Sequence, residues 1–250
     1  MKNIIFGLLM LVSATSFSQD LNVVLKQASN LERKQKEDSA ILKYKEAISI
    51  DGNNQLSLIK LAELTAAAGA RQTDKKLKRD LYDQANEFAN KAFALDSTNV
   101  DANYVRGLVA FRLSQVEQEN KKQVAFLKDA RRYAEKALAI NPNHGKSNYL
   151  MGKWNFEIVN TAWTKKTAAR VLYGGVAEAK METAISYMEK CRTAEPYYVQ
   201  NFLDLAKAYK FEFKPSNAIE VLNQLVKLPT RTADDAAMKA EGKQMLSEMQ

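Results

Sequence analysis

The chain has 250 residues with only four prolines and nine glycines, 46% hydrophobic side chains and a formal net charge of +8. A single cysteine, Cys191, and a single histidine, His144, exclude an internal disulfide, a His/Cys zinc centre and most nucleophile–histidine pairs. The wealth of Ala, Leu, Lys, Glu and Gln favours helix.

The first element is a short positive start, Met1-Lys2-Asn3, and a nine-residue apolar run, Ile4 to Val12. Ser16 and Ser18 then stand as small residues before a cleavage point after Ser18. This is the layout of a secretory signal peptide over 1–18, and nine apolar residues fall short of the roughly 20 that span a bilayer. The expectation is an exported protein, periplasmic or secreted, with no transmembrane segment after cleavage and a charge that drops from +8 to +7 with Lys2. A moderately basic exported chain suits an acidic partner, anionic lipid or acidic peptide rather than nucleic acid, but its default reading is a solvated surface that needs no partner.

From residue 22 onward one template recurs. Counting back from Pro142 gives Ala137, Ala134 and Ala130; from Pro196, Cys191, Met188 and Ala184; from Ser97, Ala92, Ala89 and Ala85; from Gly52, Ala47, Tyr44 and Ala40. Each turn is followed by a second apolar stripe, such as Phe202, Leu205, Ala206 and Tyr209. Gly107 and Gly152 share the place of Ala206 and Ala62, where a small residue lets two helices approach. The pattern is similar to the tetratricopeptide repeat, an antiparallel helix pair of 34 residues stacked so that neighbours bury each other's faces.

The predicted units are 22–52, 55–98, 100–142, 145–196 and 199–229, within a single domain over 19–250. Units two and three each carry eleven extra residues between their helices and unit four carries twenty. The added segments are helix formers, so extended hairpins are expected along one edge. Residues 233–249 read as a capping helix, with Thr232 and Asp235 as an N-cap pair. The fold class is all-α: a tetratricopeptide-like right-handed superhelix with a C-terminal capping helix.

The C-terminal half carries a more specific signature. Gly152-Lys153-Trp154 opens a long helix, Trp163 follows nine residues on, and Lys165-Lys166, Ala168-Ala169 and Leu172-Tyr173-Gly174 come next. With the later LAKAYK and KLPTRTADD, the sequence over about 130–250 resembles the regulator of microtubule dynamics family. The resemblance implies a non-enzymatic helical-repeat fold; some family members are linked to lipid binding. It brings no microtubule role to an exported chain and transfers no binding residue.

In such a superhelix the inner face comes from the first helices of the pairs. By spacing it carries Asp101, Tyr104, Leu108 and Phe111 in unit three, Lys146, Tyr149, Lys153 and Phe156 in unit four, and Gln200, Leu203, Lys207 and Lys210 in unit five. Tyr104, Phe111, Lys146, Tyr149, Lys153, Phe156, Lys207 and Lys210 form the candidate binding groove. That lining suits a protein or acidic peptide segment; the alternative occupant is a lipid or another hydrophobic small molecule. No cofactor or metal is implied. Asp234-Asp235 diverge on a helix and Gly174-Gly175 reads as a turn, so no enzymatic centre is expected. His144 reads as a solvated loop residue and Cys191 as a small core residue. Trp154 and Trp163 fall half a turn apart on one helix, which reads as two packing anchors rather than a ligand cage.

Overall fold

A computed structural model describes residues 20–161 and 178–249. Among them are eleven helices and no strand. They are α1 (20–33), α2 (Glu37–Ile50), α3 (Gln55–Arg71), α4 (Lys75–Leu95), α5 (Val100–Val116), α6 (Asn120–Ile140), α7 (Gly145–Asn160), α8 (Met181–Ala194), α9 (Val199–Phe211), α10 (Pro215–Leu225) and α11 (Asp235–Met249). Consecutive helices pack as hairpins, and α11 closes on α9 and α10. The added residues of units two and three lengthen both helices: α3 and α5 have 17 residues and α4 and α6 have 21, against 13 and 11 in α9 and α10. The candidate signal peptide (1–18), Trp163 and the Leu172-Tyr173-Gly174 element lie outside the described residues.

The first three turns between units are built the same way, whereas at the fourth Glu195 stands in the Asx place and Tyr198 caps α9 with no side-chain hydrogen bond. Asp51, Asp96 and Asn141 accept from the backbone N–H two residues on, at 3.0, 2.8 and 3.0 Å. This is an Asx turn, in which a short polar side chain stands in for a backbone acceptor. Three residues after each of these, Asn54, Asn99 and His144 cap the next helix by accepting from Ser57, Ala102 and Ser147 N–H. His144 thus departs from the expected solvated loop residue. Its Nδ1 serves as the cap acceptor, which leaves Nε2–H to donate to Asp101 at 3.1 Å. Buried Asn103 and Asn148 each donate to two turn carbonyls at 2.8–3.0 Å, fixing the angle between units.

Small residues set the helix spacing. A Cβ on Gly107 would stand 3.0 Å from the Ala130 carbonyl, and one on Gly152 would stand 3.0 Å from the Ala184 carbonyl. α7 joins two apolar clusters. Trp154, 1% exposed, belongs to the cluster built by α3–α7 and donates from Nε1 to the Leu127 carbonyl of α6 at 2.9 Å. Phe156 and Val159 on its other side pack on the cluster of α8–α11. Cys191 is a fully buried core residue whose thiol burial pushes up beyond the reactive range.

Candidate functional site: the inner cavity

The ends of the superhelix meet. The Gln35 side-chain amide, after α1, donates to the Thr230 carbonyl, before α11, at 2.9 Å. Arg71, the last residue of α3, bridges Glu37 of α2 and Asp234 beside α11, the latter at 3.0 Å. The inner face thereby encloses a cavity of about 200 Å³. Its walls are Leu64, Ala66, Ala67, Leu108 and Met238, the rings of Tyr104, Tyr149 and Tyr198, and a set of charged groups. A cleft of about 540 Å³ shares Glu32, Glu37, Leu64 and Thr232 with it and continues past Gln35 and Thr230–Ala233.

First helices supply most of this lining because their inner stripe repeats every 45 residues from α3 to α5 to α7. Tyr104 and Tyr149 occupy equivalent places, as do Glu63, Leu108 and Lys153. Tyr104 packs edge-on to His144 at 5.7 Å, with the Lys146 ammonium 5.8 Å from its centroid. Tyr149 packs edge-on to Tyr198 at 5.0 Å and donates to Asp204 at 2.7 Å. Burial pushes all three tyrosine hydroxyls well above their ordinary range.

The basic lining expected from the spacing is neutralised within the fold. Lys60 pairs with Glu32 at 3.0 Å and Lys146 pairs with Glu63. Lys153 holds Asp204 at 3.1 Å and Glu157 at 2.9 Å. Lys207 pairs with Glu241 at 2.7 Å and Lys210 lies 4.0 Å from Glu248. The cavity wall itself carries five carboxylates, Glu32, Glu37, Glu63, Asp234 and Asp235, against three cations, Lys60, Arg112 and Lys146. A generally acidic occupant therefore finds no excess of positive charge there.

The structure brings Tyr104, Lys146 and Tyr149 together on the cavity. Phe111 is 3% exposed inside the core, because the stripe through Tyr104 and Leu108 continues at Arg112 instead. Phe156 packs on the C-terminal cluster under the Lys153 ammonium. Lys153, Lys207 and Lys210 lie on the same first helices, outside the cavity wall. Spacing misses Glu63, Arg112, Tyr198 and Asp204. The 45-residue offset that relates Glu63 to Leu108, and the i+4 continuation to Arg112, are the signals that could have found two of them.

Among the described residues no group of three or more His, Cys, Asp or Glu side chains could hold a metal ion. None of these helices is long and apolar enough to cross a membrane.

Stacked helix pairs with small residues at each crossing, capped turns and an inner face of first helices define a tetratricopeptide-like helical-repeat protein. In agreement, the chain is similar to a thermophilic tetratricopeptide protein of Thermus thermophilus, with a TM-score of 0.66 at 13% identity over 90% of this chain and 99% of that one. The sequence matches the family described as RMD1-3, regulator of microtubule dynamics protein 1-3, over residues 24–250, and the chain belongs to that family. It is 28% identical to regulator of microtubule dynamics protein 1 of Caenorhabditis elegans over 140 residues, 56% of this chain and 60% of that protein. It is 24% identical to the Pongo abelii protein 1 over 177 residues, 70% and 56% respectively. The chain thus spans somewhat over half the length of these curated relatives. The family match reaches well past the C-terminal half, because the N-terminal repeats also belong to it.

Proposed function

We propose that this chain is an exported, non-enzymatic scaffold that binds a segment of a partner protein in the cavity along its inner face. The observation that carries this reading is the cavity itself. Apolar side chains and three tyrosine rings surround a space that the neighbouring cleft connects to the outside. Such amphipathic rings supply contact area at little entropic cost and suit a polypeptide occupant. The thiol of Cys191 is buried and the imidazole of His144 is committed to a helix cap, which supports binding rather than catalysis. Export rests on the sequence of residues 1–18.

A photo-crosslinking amino acid placed at Leu108, which lines the cavity, and at exposed Lys91 tests the reading in the cells that make the protein. The expected result is one reproducible protein adduct from position 108 that is absent from position 91. A lipid adduct at 108 with no protein would instead support the carrier reading. Export predicts that the mature chain starts at Gln19 and fractionates with the envelope or medium; an intact Met1 in the cytoplasmic fraction refutes it.

A further inference from the structure

The charges of the cavity wall can be matched one by one. Glu32 receives Lys60, Glu37 and Asp234 receive Arg71, and Glu63 receives Lys146. Asp235 accepts from the Arg231 and Thr232 backbone N–H groups at 2.7 and 2.9 Å. One charge remains. Arg112 has no carboxylate within salt-bridge distance among the described residues, and all 29 acidic side chains of the chain lie in that set. Its Nη1 reaches only the neutral Gln115 amide oxygen, at 3.5 Å, and its Nε is buried with no hydrogen-bond partner. A guanidinium presents a rigid fork matched to a carboxylate, and a buried N–H without an acceptor is costly. The cavity is therefore short of one anion at Arg112.

We propose that the cavity binds the free C-terminal carboxylate of the partner polypeptide, with Arg112 as the anchoring cation. This rests on the reading of the cavity as a protein-binding site. The space, about 200 Å³, is below the roughly 300–1,000 Å³ of sites that enclose a drug-sized ligand. It takes the end of a chain. An internal acidic residue would bring two backbone continuations through the same volume. The terminal side chain lies against Leu64, Leu108 and Met238, and the upstream residues leave through the adjoining cleft. Five carboxylates around one free guanidinium accept a single negative charge and repel a strongly acidic tail.

The test is affinity selection by the full-length protein from two matched libraries of random acetylated pentapeptides, one ending in a free carboxylate and the other in a carboxamide. Retained peptides are identified by mass spectrometry. The expected result is enrichment from the acid library over the amide library by about tenfold or more, as a lost charge-assisted hydrogen bond implies. Arg112→Gln abolishes the preference, Arg112→Lys keeps part of it, and thermal melts establish that both variants fold. The acid-versus-amide comparison on the unaltered protein stands even if a variant does not fold. Equal enrichment from the two libraries overturns the terminal-carboxylate assignment and leaves the protein-binding reading intact. Enrichment from neither, together with loss of the Leu108 protein adduct, overturns both. Octanoate that binds in an Arg112-dependent way while no peptide is retained overturns the proposal in favour of a fatty carboxylate.

Discussion

Glu63 faces two ammonium groups inside the superhelix, Lys146 from α7 and Lys60 from its own helix. Burial alone would push its carboxyl upward, but Lys146 and Lys60 outweigh this and hold it below the usual range. For Lys146, burial works against the charge and Glu63 more than restores it, so the ammonium titrates above its ordinary value. A carboxyl with a lowered folded pKa stabilises the fold above its ordinary pKa of about 4.3, and loses that contribution as the pH falls through the folded value. An ammonium with a raised pKa contributes fully below about 10.4 and loses its contribution above it. The pair is therefore insensitive to pH between about 5 and 10. Urea unfolding of the wild type is expected to weaken below about pH 4.5, with a shallower decline in Glu63→Gln. Side-chain exposures of 33% for Lys146 and 21% for Glu63 place the pair between surface and core. Lys146→Met is accordingly expected to cost about 1–2 kcal/mol at pH 7, between the values for exposed and buried pairs. Equal acid slopes in wild type and Glu63→Gln would show that other carboxyls, such as Asp101 beneath His144, govern the acid limb.

At the scale of elements, the closest approach of α7 to its partner helix depends on Gly152. A Cβ there would lie 2.6 Å from the Met188 side chain, which can move, and 3.0 Å from the Ala184 carbonyl, which is part of α8. Overpacking of this kind costs about 1–3 kcal/mol, and the helix-propensity gain of alanine offsets about 1. Gly152→Ala is thus expected to lower stability by up to about 2 kcal/mol in denaturant titrations. Gly52, in a turn with no neighbour closer than 3.6 Å, supplies the contrast: Gly52→Ala is expected to be neutral or stabilising by about 0.5 kcal/mol. The repeat pattern makes these crossings legible, since a small residue recurs at one place in the units from α3 onward. It does not resolve the inner face to the single residue. With 3.6 residues per turn, a stripe through Tyr104 and Leu108 continues at either i+3 or i+4. Phe111 is the more apolar choice, but its ring is drawn into the core while Arg112 turns to the cavity. The same ambiguity separates Phe156 from Glu157 on α7. The role of His144 is hidden because sequence places it in a turn without showing that its imidazole replaces the asparagine caps of earlier units. Ion pairs such as Lys146–Glu63, 83 residues apart, need the superhelix to exist before they can form.

For the whole molecule, the decisive feature is that the two ends touch. A solenoid gains its stability from neighbouring units, so contacts between the first and last units add little to unfolding free energy and mostly set shape. The closure described by the side chains is slight: Arg71 bridging Glu37 and Asp234, and Gln35 on Thr230. Arg71 and Asp234 are about a third exposed, so each pair is worth less than about 1 kcal/mol. Arg71→Ala, which removes both pairs, is therefore expected to lower the unfolding free energy by less than about 2 kcal/mol, yet to loosen the ring. Small-angle scattering should record a larger radius of gyration, and amide exchange should quicken at residues 34–37 and 230–235 while the α5–α7 core stays protected. Protection that falls equally in the α5–α7 core would mean that the closure stabilises the entire stack. An unchanged radius and unchanged exchange would mean that packing of α11 against α9 and α10 holds the ring alone. If the ring does loosen, Arg71→Ala also separates the two halves of the binding argument. The unpaired Arg112 would still face the inner wall, but the cavity would no longer be confined to the end of a chain. Selectivity for a free carboxylate should then fall while adducts from Leu108 persist.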